Sequence, residues 1–213
     1  MRRLFTLSLL LCTFAFAPTR AQAATIVLFG ATNGSDATAT ANFTVTSGTL
    51  NLSLTNTSPY SAAITAFGLD LMPGDSFGND GIDGFTGNPA VVGGFTFSDG
   101  NLGNVNAGFN GTVLDFGFLT GNNFSGGSPN DGIAPGASLN FAVSGAFAGL
   151  TDAEIAAALF VRFQQVGQNG RLSDVGTGTL NPTTVPEPAS MLLFGTGLAA
   201  AAVRRRWKKR QVA

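Results

Sequence analysis

Apolar and polar residues alternate over short runs through most of the chain. In residues 49–57, TLNLSLTNT, Leu50, Leu52 and Leu54 fall on one side and Asn51, Ser53 and Thr55 on the other. The same period aligns Phe67, Leu69 and Leu71 in 64–71, Phe95 and Phe97 in 93–98, and Leu114, Phe116 and Phe118 in 113–119. It aligns Leu139, Phe141 and Val143 in 138–147, and Val161 and Phe163 in 159–166. A period of two marks a strand with one buried face. With 25–29, TIVLF, and 40–46, TANFTVT, eight strands are expected. They are separated by turn sequences such as NTSP at 56–59, SDGN at 98–101 and NDG at 130–132.

Many short strands with Gly-rich turns predict an all-β fold, an antiparallel β-sandwich of jelly-roll type. One helix is expected near 152–158, because Thr151 and Glu154 have capping-box spacing and alanines follow. Residues 74–94 read as an ordered loop or hairpin. Residues 175–184 read as a last short strand and a linker. No fixed-period repeat is present, which argues against a solenoid.

Both ends break the pattern. Arg2 and Arg3 precede a mainly apolar run of 14 residues, 4–17, and then Ala21-Gln22-Ala23. This is the order of a signal peptide cut by signal peptidase after Ala23. Leu11 before Cys12 does not suit a lipoprotein signal. Near the other end, residues 189–203 are 15 uncharged positions. As a helix they would rise about 22 Å against a hydrocarbon core of ~30 Å, a marginal span. Arg204, Arg205, Arg206, Lys208, Lys209 and Arg210 follow and hold that end in the cytoplasm by the positive-inside rule. The expected divisions are a signal peptide at 1–23, an ectodomain at 24–180, a linker at 181–184 and a terminal signal at 185–210.

Val185, Pro186, Glu187 and Pro188, then a short Gly/Ala/Leu span, then an Arg-rich end, resemble the PEP-CTERM sorting signal of Gram-negative bacteria. The resemblance implies recognition by exosortase, a membrane-embedded cysteine transpeptidase, removal of the tail near the Pro-Glu-Pro, and delivery to the cell envelope, surface or matrix. It also implies a link with exopolysaccharide and biofilm. It covers only the last part of the chain.

Composition changes the picture of the middle. Residues 24–184 hold eleven acidic residues against Arg162 and Arg171, a net charge of −9. Such a domain repels nucleic acid and anionic lipid. The chain has no His, and Cys12, Lys208, Lys209 and Trp207 lie within the two terminal signals. The usual general base, thiolate and Schiff-base routes are therefore closed to the mature region, and no catalytic residue is assigned. Carboxylates alone could still cleave glycosides, but without Trp and with one tyrosine, Tyr60, stacking surface for sugars is scarce.

No cofactor is expected except calcium, for which the candidates are Asp75, Asn79, Asp80 and Asp83 in one loop. Their spacing does not fit an EF-hand, and a solvated acidic turn explains them as simply. Six Asn-x-Ser/Thr triplets follow from the composition. Thr40, Thr44 and Thr46 share one strand face, a short version of the threonine array that ice binding requires.

The expected function is that of an exported, non-catalytic surface or matrix protein. The rivals are a polysaccharide- or protein-binding module, with or without calcium, and more remotely an ice-binding protein. Removal of the tail is checked by intact mass. The surface form should lack Trp207 and end near residues 185–188, whereas a plain membrane anchor would keep it.

Overall fold

A computed structural model describes residues 23–31, 36–71, 85–87, 93–103, 105, 109 and 112–181. Ten strands form within them: β1 (Ala24–Gly30), β2 (Thr38–Thr46), β3 (Thr49–Asn56), β4 (Ala63–Leu69), β5 (Thr86–Gly87), β6 (Thr96–Leu102), β7 (Leu114–Leu119), β8 (Ser138–Ser144), β9 (Leu159–Val166) and β10 (Leu172–Asn181). All eight expected strands are present, and the last strand is longer than expected. β5, of two residues, falls inside the expected 74–94 hairpin. Residues 1–22, 72–84 and 182–213 lie outside the described residues, and with them the signal peptide, the four calcium candidates and the terminal signal.

Every pairing is antiparallel, in the order β5-β8-β3-β2-β1-β10-β9-β4-β7-β6. The all-β antiparallel class is as expected. Its two layers are the halves of one continuous sheet that nearly closes on itself. At the closing edges the ring of Phe97 on β6 occupies the space where a side chain on Gly87 of β5 would stand.

Phenylalanines fill the space between the halves. Phe67 on β4 meets Phe141 on β8 edge-on at 4.5 Å and stacks on Phe118 of β7 at 5.1 Å. Phe118 lies 4.8 Å from Phe141, and Phe95 lies 5.5 Å from it. A second group joins Phe85, Phe116 and Phe147 at 4.8–5.9 Å. Such tilted and edge-on geometries are favoured by the ring quadrupole.

β4 and β7 are buried along their whole length, where alternation predicted one buried face. The reason is a second, smaller cluster outside the sheet, built from Ala66, Leu114, Leu119, Phe124, Phe160 and Val175 with Phe109 against it. Gly68 and Gly117 face each other across β4 and β7. A Cβ on either would sit within 2.8 Å of Leu114 or Leu102, so glycine lets those leucines lie over the strands.

The expected helix is present as α1 (Asp152–Ala158), with a complete capping box. The Thr151 amide and hydroxyl donate to Glu154 at 2.7 and 2.8 Å. These bonds, the backbone one foremost, hold the Glu154 carboxyl below the usual glutamate range. Their contribution is therefore present above that range and fades as pH falls through the lowered value.

Arg162 on β9 is 6% exposed and Asp174 on β10 is fully buried. The Arg162 Nη2 donates to Ser173 Oγ at 2.9 Å, while Nε and Nη1 have no hydrogen-bond partner. Burial depresses the guanidinium pKa and the Asp174 charge opposes that shift.

Two predictions follow from this packing. Phe67→Ala should lower unfolding stability by about 3–5 kcal/mol, and a cycle with Phe141→Ala should show about 0.5–1.5 kcal/mol of coupling. Asp174→Ala should cost about 1–3 kcal/mol by removing a fully buried carboxylate that accepts from the Val175 amide at 2.8 Å. Urea unfolding measures each variant.

Candidate functional site

The strands β1, β2, β3 and β8 are neighbours in the sheet and contain no Asp, Glu, Lys or Arg. Their inward residues, Ile26, Leu28, Ala39, Ala41, Phe43, Leu50, Leu52, Leu54, Phe141 and Val143, are buried. With a side-chain period of two, the polar residues between them must stand on the outer face.

Register places those residues in rows. Ser138, Thr55, Thr40, Val27 and Thr179 lie side by side across β8, β3, β2, β1 and β10. Asn140, Ser53, Asn42, Thr25 and Asn181 form the next row. Neighbouring rows add Ala142, Asn51 and Thr44, then Ser144, Thr49 and Thr46. Residues within a row stand about 4.8 Å apart, and rows about 6.8 Å apart. The side chains tie to one another across the strands. Thr25 Oγ1 donates to Asn42 Oδ1 at 2.6 Å, Thr55 and Ser138 hydroxyls meet at 2.7 Å, Thr49 and Ser144 at 3.1 Å, and Thr57 Oγ1 donates to Thr38 Oγ1 at 2.9 Å. Each hydroxyl has one donor and two acceptor sites, so one bond leaves capacity turned outward.

A shallow, open groove of ≈ 410 Å³ lies over the middle of this face between Asn42 and Thr44, Asn51 and Ser53, and Asn140 and Ala142, with Ala23, Phe43, Leu52 and Phe141 completing a lining that is mostly apolar. One row carries an aromatic. Phe29, flanked by Thr38 and Thr177, is 53% exposed. It is the one exposed phenylalanine among the described residues. The sequence offered a signal for it, since Thr25, Val27 and Phe29 share a parity opposite to Ile26 and Leu28.

The other polar candidates serve the fold. Asn56 is fully buried, and its amide donates at 2.7 Å to the carbonyls of both Ala62 and Ile133. Its triplet is therefore structural. Asp115 is buried and accepts from the Leu71 amide at 2.7 Å. Thr40, Thr44 and Thr46 do share the outer face of β2. Among the described residues no three acidic side chains gather closely enough to hold a metal ion, and no helix is long and apolar enough to cross a membrane. Asp75, Asn79, Asp80 and Asp83, like 189–203, are outside them.

No curated protein and no solved structure matches the chain. A family model described as the PEP-CTERM protein-sorting motif matches residues 184–206. The match takes in Val185, Pro186, Glu187 and Pro188, the uncharged span, and Arg204, Arg205 and Arg206. The chain thus carries a PEP-CTERM protein-sorting motif, which makes it an exosortase substrate exported to the cell envelope or surface.

Proposed function

We propose that this protein is a non-catalytic component of the cell surface or extracellular matrix, and that it associates with exopolysaccharide once exosortase has delivered it. The observation that carries the reading is the uncharged outer face of β1, β2, β3 and β8. A broad face of Thr, Ser and Asn offers many weak hydrogen bonds spread over a surface, which suits multivalent contact with a polymer. An enclosed pocket with convergent polar groups would suit a small substrate instead.

The absence of catalysis is supported by composition. Residues 24–184 contain no His, Cys or Lys, so any chemistry must come from carboxylates. Of these, Asp70, Asp115 and Asp174 are buried in the fold.

Deletion of the gene, or of the exosortase, should change surface cohesion or matrix texture and leave growth unchanged. The purified full chain should fail to turn over glycoside, ester and peptide substrates. A polysaccharide hydrolysed by the chain, with the activity lost on one Asp→Asn change, would overturn the reading.

A further inference from the structure

We infer that the outer face of β1, β2, β3 and β8 docks an uncharged, hydroxyl-rich polysaccharide, with Phe29 as its stacking ring. This rests on the matrix-association reading and adds to it the chemistry of the partner and the residues that meet it.

Charge selects the partner. The four strands carry no ionised group, and residues 24–184 have a net charge of −9. A polymer of uronic acids or sulfated sugars would meet a surface without cations on a domain that repels it. Of the two arginines, Arg162 is buried and Arg171 lies in the turn between β9 and β10, off this face. A neutral glycan escapes that repulsion, and its hydroxyls match the hydroxyl and amide groups of the rows.

Shape narrows the choice further. The groove between Asn42, Asn51 and Asn140 is concave, and Phe29 stands half exposed at the side of β1. Along β2, Thr38 beside Phe29 is four residues from Asn42 in the groove, roughly 13 Å at strand rise. A single sugar ring does not bridge that distance, whereas a chain covers both. The negative face of the phenyl ring receives the C–H face of a sugar, as it receives the positive edge of another ring.

The test is affinity electrophoresis of the full chain through gels cast with hydroxyethylcellulose, galactomannan or alginate. At least one of the two uncharged polymers should retard the protein, and alginate should not. Phe29→Ala and Asn51→Asp should each weaken that retardation by about tenfold, the upper end for one aromatic or desolvated polar contact. Arg171→Gln should leave it unchanged. Free monosaccharide should compete poorly with the polymer. Thermal melting of each variant separates loss of fold from loss of binding.

Retardation by alginate alone, by none of the three polymers, or equally in the face variants would overturn the inference. So would inhibition of ice growth by the native chain that the same variants abolish. A native chain that co-purifies with the cell's matrix while the face variants do so equally refutes this face and leaves matrix association standing. A native chain absent from the matrix refutes the broader reading itself.

Discussion

The contact between Phe67 and Phe141, 4.5 Å between ring centres, is where the two halves of the sheet meet. A ten-stranded sheet has two faces and two edges to manage. Folding it over on itself converts one face of every strand into a shared core and brings the edges β5 and β6 together. The large apolar side chain in this chain is phenylalanine, with 19 in the sequence. Rings of that size, tilted or edge-on, fill a gap between sheets of about 10 Å without polar atoms to satisfy. Once Phe67, Phe118 and Phe141 have met, register sends every second residue of β1, β2, β3 and β8 to water.

The two halves use their outer faces differently. On the half containing β4, β7 and β9, Phe124, Phe109 and their neighbours cover the sheet and make a second hydrophobic cluster. Arg162 is enclosed on that half, where its Nη2 donates to Ser173 Oγ. On the half containing β1, β2, β3 and β8, the rows of Thr, Ser and Asn bond to one another across the strands. Those bonds hold the side chains in fixed positions, so less rotamer freedom is lost when a ligand arrives. The asymmetry leaves one outer face covered by apolar side chains and the other lined with neutral polar groups.

The sorting motif and the sheet occupy separate parts of the chain. The sorting motif at 184–206 makes the chain an exosortase substrate. The sheet, in turn, is fitted to the outside. It has no cysteine, it buries most of its phenyl rings with Phe29 left exposed, and its outer face on β1, β2, β3 and β8 presents neutral polar groups.

What the sequence determined by itself was local. Alternation identified the strands, because a period of two reports burial of one face whatever the partner strand is. Thr151 and Glu154 identified the helix, because a capping box closes within one turn. The order of Pro-Glu-Pro, short apolar span and basic end identified the export route, because that signal is linear. Only the tertiary structure decided the rest. The second cluster over β4 and β7 draws on Phe109, Phe124 and Val175, far apart in sequence, so no local period announces it. Asn56 looked like any other polar residue until Ile133, 77 positions away, was seen to accept from it. The rows exist only through register: Asn42, Asn51 and Asn140 become one surface when β2, β3 and β8 pair, and Phe29 becomes its aromatic only because β1 pairs beside them.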